Sequence, residues 1–271
     1  MLAAAAVKLK KMILRRLGNK NNIAKEIQKH FPQHKIYVEP FFGAGGMFFN
    51  KQRANNNLLN DIDSEVFNLW VVVNEKQEEL NEFMCNTPYH QDIVKYWDAN
   101  KETDCIKKAA RFLYLTNYVF MGKGTTLKLN ASKNEFCLTL NEKLRFCNKM
   151  LIDCQFSNLD FRKFIRSINF VQDGREAEKE TLIYADPPYL ETGDNYSHSF
   201  KETDAVDLFD CLQNTGAMFA YSEFDHPFIL SQAKERGLNV ITIGERHNMK
   251  NRRTEILVTN YKKPMSLFDG V

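Results

Sequence analysis

The sequence lacks the features that mark membrane, secreted and metal-binding proteins. No apolar run approaches the roughly 20 residues that a membrane-spanning helix needs. The apolar start of the chain is short, and its positive charges follow the run instead of preceding it as in a signal peptide. The six cysteines form no close pairs and no metal-like spacing, which argues against a disulfide framework. We therefore expect a cytoplasmic globular protein that binds neither a membrane nor a metal.

Strong charge of one sign is also missing. The formal net charge is only +3, so charge alone does not identify a nucleic-acid-binding protein. The basic residues nevertheless gather in three segments, at residues 8–16, 123–133 and 246–253. Such patches can follow the phosphates of a nucleic acid. A solvated surface explains each patch equally well when it is taken alone.

The most informative motif lies where an apolar, β-branched run at residues 181–185 ends in Asp186-Pro187-Pro188-Tyr189. The prolines continue neither a strand nor a helix, so the acid and the ring are predicted at the carboxyl end of a buried strand. Open α/β sheets bind their ligands at that edge. A carboxylate and a carbonyl accept the hydrogens of an exocyclic amine, and an aromatic ring stacks on a nucleobase. An ordinary strand-ending turn is the alternative.

A second strand, at residues 36–39, runs into glycines that allow a tight turn and a close approach to a ligand. Asp61 ends the next strand eighteen positions after Gly43. A carboxylate at about that interval, roughly 20 residues, typically binds the ribose hydroxyls of an adenosine-containing cofactor. Phe48 stands where a nicotinamide dinucleotide would favour glycine, which argues against that cofactor.

Alternating strands and helices predict an α/β fold built on a doubly wound, mostly parallel sheet of seven strands. Strands are predicted at residues 36–39, 58–60, 151–156, 181–185, 217–221, 239–243 and 255–261. Helices are predicted at residues 19–30, 63–73, 75–84, 106–116, 141–149, 161–167, 205–213 and 228–236. The polar residues 171–179 are predicted to form a surface loop. Residues 86–150 interrupt the alternation, which predicts an inserted, mainly helical region.

Four motifs, at residues 15–20, 39–45, 60–61 and 186–189, occur in the order found in the Dam-like adenine-specific DNA methyltransferases (D12 class, alpha group). Residues 219–223 and 252–261 add weaker matches, so the chain resembles this family over nearly its whole length. The resemblance implies a methyltransferase-type, Rossmann-like sheet. It divides the chain into a cofactor-binding half (1–85), a target-recognition insert (86–150) and a catalytic half (151–271). It also implies methyl transfer from S-adenosylmethionine to adenine N6 in double-stranded DNA, with base flipping.

The resemblance implies a role for each matching residue. In catalysis, Asp186 and the Pro187 carbonyl accept the amine hydrogens, Pro188 keeps the turn rigid, and Tyr189 stacks on the extruded base. The residues implied in cofactor binding are Arg16, Lys20, Glu39, Phe41, Gly43, Gly45, Asp61, Asp160 and Asp186. Family members often carry an aromatic residue in place of Arg16, and Asp160 is equally well explained as a helix cap.

DNA binding is predicted for Asn117, Lys123, Lys128, Tyr196, Arg252 and Arg253. The arginine that the family usually carries in its DNA-contacting hairpin is not evident, and Lys123 or Lys128 stands near its place. The segment around Tyr196 is similar to the mobile loop that closes over an extruded base.

Several alternatives stay open from the sequence. Enzymes that act on cytosine N4 usually carry serine in place of Asp186, and those that act on RNA adenine favour asparagine there. An inactive DNA-binding relative is the third alternative, although intact Asp61, Asp186 and Tyr189 argue against it. We expect a monomer whose partner is double-stranded DNA. Whether a cognate restriction endonuclease accompanies it is not determined by the sequence.

Overall fold

The computed structural model describes residues 12–14, 19–119, 126–128, 133–172, 175–190, 200–247 and 252–262. The chain divides into two compact units. The sheet unit comprises Lys20–Gly43, Asn50–Phe67 and Asp153–Val271. The helical unit comprises Met1–Asn19, Ala44–Phe49 and Asn68–Ile152.

Nine strands are present in the described residues. Strands β1 to β9 span Ile36–Glu39, Asn56–Asn60, Gln155–Ser157, Val171–Gln172, Arg175–Glu176, Thr181–Ala185, Met218–Phe224, Asn239–His247 and Arg252–Thr259. Seven of them form one sheet in the order β3-β2-β1-β6-β7-β9-β8. The pairs from β3 to β7 are parallel, whereas β9 is antiparallel to both of its neighbours. The predicted α/β fold with a mostly parallel, seven-stranded sheet is therefore confirmed.

Helices α1 to α9 span Ala24–Gln28, Ser64–Glu75, Gln77–Asn86, Gln91–Ala99, Cys105–Tyr118, Lys133–Leu151, Phe161–Ser167, Glu202–Asn214 and Pro227–Glu235. Helices α2 to α6 follow one another between β2 and β3, and single helices lie between most of the other sheet strands. In the described residues, short 3-10 helices lie at Lys20–Asn22, Phe48–Asn50 and Glu178–Glu180. Within the described ranges, no helix combines the length and the apolar character needed to cross a membrane.

The centre of the sheet is covered on both faces. All five residues of β6 are buried, which is typical of a parallel strand packed between helices. The core joins the strand residues Ile183 and Phe219 to Phe164 of α7 and Leu208 of α8. This packing holds the central strands in place, and so positions the residues that follow them.

The strand order changes direction between β1 and β6. From β1 the chain builds outward through β2 to β3, then returns to add β6 on the other side of β1. In open α/β sheets, the crevice at such a switch point binds ligands at the carboxyl ends of the strands. The residues that follow β1 and β6 are therefore the first place to look for a site.

The helical unit has its own core. Helix α3 packs against α5 and α6, and α4 packs against α5. In α6, the residues Leu140, Leu144, Cys147 and Leu151 are buried at spacings of three and four, which forms one continuous stripe on the helix.

Two local predictions from the sequence were wrong, and one helix was missed. The strand predicted at residues 151–156 begins only at Gln155, because Leu151 completes the buried stripe of α6. The loop predicted at residues 171–179 contains the antiparallel pair β4 and β5, whose backbones pair although Val171 is exposed. Helix α4 was not predicted, although its buried Val94 and Trp97 have helical spacing.

Candidate active site

The tetrapeptide 186–189 follows β6 in the sheet unit. Strand β6 ends at Ala185, and the two prolines then prevent further pairing. The Asp186 side chain retains 18% of its exposure, whereas Tyr189 is buried. The acid thus reaches the sheet edge, while the ring is fixed below it by packing.

Asp186 is paired with a buried lysine that lies 166 positions earlier in the chain. Nζ of Lys20 donates to Oδ1 of Asp186 at 2.6 Å. The same ammonium lies 3.4 Å from Oε1 of Glu255 and 4.4 Å from the ring centroid of Tyr189. A lysine that is only 3% exposed is rare unless it is paired, and here two carboxylates and an aromatic ring surround it.

Tyr189 is held at its hydroxyl and at its ring edge. The hydroxyl donates to Oε1 of Glu255 at 2.5 Å and lies 3.0 Å from Oγ of Ser222. The ring packs edge to face on Phe224, with centroids 4.6 Å apart. Burial, together with the nearby carboxylates of Asp186 and Glu255, raises the pKa of the Tyr189 phenol well above its usual value. The phenol is therefore neutral and oriented.

Glu223 supports the backbone just after the tetrapeptide. Its carboxylate accepts from the backbone N–H of Leu190 at 3.3 Å and from that of Phe224 at 2.9 Å. Burial raises the pKa of the Glu223 carboxyl to about 8 against the opposing effect of these hydrogen bonds. Glu223 is thus mostly protonated at neutral pH, unlike an ordinary glutamate.

On the other side of the switch point, an acid closes the turn after β1. The backbone N–H of Gly43 donates to Oδ2 of Asp61 at 2.7 Å, and the N–H of Asp63 donates to Oδ1 at 2.9 Å. Gly43 has a positive φ of 51°, which favours glycine. A Cβ added to Gly43 would meet no atom within 4 Å, so there is open space beside this turn.

Asn60 links three strand ends, and it had no role in the sequence analysis. Its side-chain Nδ2 donates to the carbonyls of Pro40 and Leu159, both at 2.9 Å, and its Oδ1 accepts from the N–H of Leu159 at 3.0 Å. The loops after β1, β2 and β3 are therefore cross-linked by one buried amide.

Glu39 lies at the end of β1 and is buried. The hydroxyl of Tyr37 donates to its Oε2 at 2.9 Å. Burial raises the pKa of the Glu39 carboxyl well above its usual value, and the Tyr37 hydrogen bond opposes that shift.

Asp160 caps helix α7, which was one of the two roles considered from the sequence. Its Oδ1 accepts from the backbone N–H of Arg162 at 2.9 Å, and its Oδ2 accepts from Nη1 of Arg162 at 3.0 Å. Next to it, the rings of Phe41, Phe161 and Phe200 form a cluster with centroids 5.3 to 6.1 Å apart. The predicted cofactor residues Phe41, Gly43, Asp61 and Asp160 thus lie in loops of one sheet edge.

The predicted DNA-binding residues are more scattered. Asn117 is buried in the helical unit, where its amide donates to the carbonyls of Ile13 and Leu113. Nζ of Lys128 donates to the carbonyls of Thr116 and Asn117 at the end of α5.

Gly45, which was predicted to bind the cofactor, belongs to the helical unit. It has a positive φ of 69°, and its carbonyl accepts from the N–H of Phe49.

Arg253 lies on β9, and its guanidinium carbon lies 5.4 Å from the ring centroid of Phe224. The backbone of Arg252 begins β9. The predictions for Arg16, Lys123 and Tyr196 fall outside the described residues. No group of three or more His, Cys, Asp or Glu residues in the described ranges is placed to hold a metal ion.

Sequence reasoning gave no role to Ser222, Glu223 or Glu255. All three are buried, Ser222 and Glu223 in β7 and Glu255 in β9 just before an apolar run. An acid next to or at the start of a predicted strand was the available signal, since a buried charge is costly unless it has partners.

A family model described as D12 class N6 adenine-specific DNA methyltransferase matches residues 17–261. The chain is 27% identical to the Type II methyltransferase M1.LlaDCHI of Lactococcus lactis subsp. cremoris, over 90% of this chain and 93% of that relative. It is 26% identical to the DNA adenine methylase of Escherichia coli, over 68% of this chain and 66% of the relative. It is 30% identical to the DNA adenine methylase of Haemophilus influenzae, over 64% of this chain and 61% of the relative.

Proposed function

Because the chain belongs to the D12 class of N6 adenine-specific DNA methyltransferases, we propose that it transfers a methyl group from S-adenosylmethionine to adenine N6 within a specific site of double-stranded DNA. The observation that carries the proposal is the Lys20–Asp186 ion pair beside Tyr189, at the same sheet edge as the turn that Asp61 closes. One side suits a nucleobase amine, and the other suits an adenosine-containing cofactor.

The residues on the β1 and β2 side fit S-adenosylmethionine. Asp61 would accept from the ribose hydroxyls, and the open space beside Gly43 supports a close approach of the ligand to the backbone. Lys20 suits the carboxylate of the methionine portion. Contacts are also proposed for Arg16, Glu39, Phe41, Gly45, Asp160 and Asp186. When bound, the cofactor supplies a methyl group already activated by its positive sulfur.

The tetrapeptide would prepare the target amine. The lone pair of the adenine amine is delocalised into the ring, so the nitrogen is a weak nucleophile. Asp186 and the Pro187 carbonyl would accept its two hydrogens and direct the lone pair out of the plane. A carboxylate offers about four lone-pair sites, so Asp186 accepts the amine while it keeps Lys20. Alignment of this kind can contribute several kcal/mol, within the roughly 7–11 kcal/mol open to well-oriented reactants.

Tyr189 would stack on the extruded adenine. Stacking of a base on an aromatic ring contributes about 1–3 kcal/mol, which offsets part of the loss when the base leaves the duplex. The hydrogen bond to Glu255 and the edge contact with Phe224 support this role, because they fix the ring before the base arrives.

Contacts with DNA are proposed for the target-recognition insert (residues 86–150) and for the end of the β8–β9 pair. At the end of β7, Phe224 pairs with Glu255 of β9. Beyond that point β8 and β9 still pair with each other, through Arg246–Arg253 and His247–Arg252. Since β7 ends at this edge, the β8–β9 pair that carries these basic residues extends beyond β7 on the side of Asp186. Lys123, Lys128, Asn117 and Tyr196 remain proposed DNA contacts, although Asn117 and Lys128 donate internally in this conformation.

The setting of the activity is proposed more broadly. A cytoplasmic monomer that modifies a short duplex site fits the family. Restriction–modification is favoured by the similarity to the Lactococcus relative, a Type II methyltransferase that aligns over most of both chains. A cognate restriction endonuclease would then protect the cell against DNA that lacks the same mark.

The test is to identify the methylated nucleoside. The protein is incubated with S-adenosylmethionine labelled in the methyl group and with unmethylated duplex DNA, which is then digested to nucleosides. We expect the label in N6-methyl-2′-deoxyadenosine, with wild-type yield from the exposed-carboxylate control Glu235→Gln and none from Asp186→Ala. Label in methylcytosine, or label in RNA but not in DNA supplied beside it, would refute the proposal.

A further inference from the structure

We infer that Glu255 is a positioning residue for the methyl transfer, a buried carboxylate that aligns Tyr189 and Lys20 and shares the lysine with Asp186. This inference rests on the proposed function and deepens it, because it assigns a role to a residue of β9 that lies below the tetrapeptide. Several donors converge on one carboxylate oxygen of Glu255.

Three donors face Oε1 of Glu255. The Tyr189 hydroxyl lies at 2.5 Å, the Ser222 hydroxyl at 2.7 Å and the Lys20 ammonium at 3.4 Å. Each hydroxyl has a single hydrogen, so if both donate to Glu255, neither donates across the 3.0 Å gap between them. An oxygen that receives donors from three directions is in the arrangement expected for an ionised carboxylate.

A structural role alone does not explain this choice of residue. Glu255 is buried in a strand whose following residues are Ile256, Leu257 and Val258. Replacement of a buried ion pair by apolar residues of similar volume is often neutral or stabilising, so packing does not require an acid here. The partners of Glu255 are instead two residues of the candidate active site. The carboxylate of Glu255 is therefore best explained by its effect on Tyr189 and Lys20.

The first effect is on Tyr189. A tyrosine ring without a hydroxyl partner is held only by packing, and it can tilt as a base enters. With Glu255 and Ser222 at the hydroxyl and Phe224 at the edge, the ring plane is set before the base arrives. Alignment of a stacked base within a few tenths of an ångström affects the rate more than the binding.

The second effect is on charge. Lys20 carries one positive charge and lies between the two carboxylates Asp186 and Glu255, so the two acids share one ammonium. During transfer, the N6 lone pair forms the new bond to the methyl carbon, and the electrons of the old bond return to sulfur. The amine becomes positive until water removes its proton. Carboxylates held at this place stabilise that developing cation more than the neutral amine.

The decisive variant is Glu255→Gln, which keeps the size and one acceptor but removes the charge. We expect kcat to fall about tenfold or more, because charge stabilisation acts in the transition state. We also expect the KM for duplex DNA to change less than about threefold, whereas the Kd for S-adenosylmethionine reports how far Lys20 is displaced. Kd is measured by calorimetry, and the melting temperature confirms folding. Glu235→Gln, an exposed glutamate on α9, is the matched control and should keep wild-type values.

A second variant separates alignment from folding. Tyr189→Phe removes the hydroxyl that binds Glu255 and leaves the ring, so we expect a loss of kcat of about threefold to tenfold with unchanged cofactor affinity. If Glu255 acts through Tyr189, the double variant loses less than the product of the two single losses. Independent, multiplicative losses would show that Glu255 does not act through Tyr189.

The outcomes distinguish this inference from the proposed function. Absence of label in adenine with the wild-type protein would overturn the proposed function itself. An active wild type together with a Glu255→Gln variant whose kcat stays within twofold would overturn only the positioning role. A Glu255→Gln variant that melts lower but has full kcat per folded molecule would assign Glu255 to stability alone. If that variant fails to fold, wild-type kcat in Tyr189→Phe overturns the inference.

Discussion

Asp61 and Asp186 each follow a parallel strand of the same sheet, yet they are held by different partners. Asp61 accepts from two backbone N–H groups, those of Gly43 and Asp63. Asp186 accepts from the buried ammonium of Lys20. Two backbone amides orient Asp61, whereas the ammonium of Lys20 orients Asp186 and compensates its charge. Two acids with the same position relative to a strand are thus prepared for different tasks, one to bind hydroxyls and one to receive an amine that becomes positive.

The largest expected effect is on the Asp186 side. Asp186→Asn keeps the size but replaces one acceptor oxygen by a donor, so the target amine loses its alignment and its charge stabilisation. We expect kcat to fall by about 10²–10³, the range seen when one group that stabilises transition-state charge is removed. Single-turnover methylation of duplex DNA measures it. If Asp61→Asn lowered the single-turnover rate constant as much as Asp186→Asn does at saturating cofactor, the assignment of different roles to the two acids would be wrong.

The next effect concerns Glu223 and pH. Its pKa is raised to about 8 in the folded state, above its ordinary 4.5, so its contribution to stability is complete below pH 4.5 and is lost as pH rises through 8. Between pH 5 and pH 7, the wild type should lose about 2–3 kcal/mol more of its free energy of unfolding than Glu223→Gln does.

Urea unfolding at pH 5, 6, 7 and 8 measures this difference. The variant keeps only one acceptor for the N–H groups of Leu190 and Phe224, but that loss is the same at every pH. The slope against pH therefore isolates the titration of Glu223. Parallel slopes for the two proteins would contradict a neutral Glu223 in the folded state.

A smaller effect is expected at Asp61. Asp61→Ala removes the acceptor for the cofactor's hydroxyls, and hydrogen bonds to a charged group contribute about 1.5–3 kcal/mol. We expect the Kd for S-adenosylmethionine to rise about tenfold or more, while the Kd for duplex DNA changes little. Calorimetry gives the first value and fluorescence anisotropy the second. Weakened DNA binding with intact cofactor binding would reverse the assignment of the two sides.

The smallest effect is expected at Gly43. Its φ of 51° is strained for any residue with a Cβ, but an added Cβ would meet no atom within 4 Å. Gly43→Ala should therefore lower the free energy of unfolding by about 1–2 kcal/mol through backbone strain alone. Thermal unfolding without cofactor measures this strain. Any additional loss of cofactor affinity would indicate that the ligand occupies the open space at Gly43.

The sequence predicted the centre of the fold better than its margins. Strands β1 and β6 and helix α7 have the predicted bounds, because short apolar runs bounded by proline, glycine or a capping acid carry strong local signals. The end of α6 was misjudged because Leu151 and its neighbours have strand-like composition but lie on a helical stripe. Helix α4 was missed because only Val94 and Trp97 mark its buried face.

Local sequence determined that an acid and an aromatic ring end a buried strand at residues 186–189, because prolines stop a strand whatever surrounds it. It also determined that Asp61 accepts from the glycine turn after β1, because that turn and the end of the next strand are close in the chain. Only the tertiary structure decided the partners: Lys20 meets Asp186 across 166 positions, and Glu255 meets Tyr189 across 66. Such pairs depend on which strands become neighbours in the sheet, and the strand order is fixed by packing of the whole core rather than by any short segment.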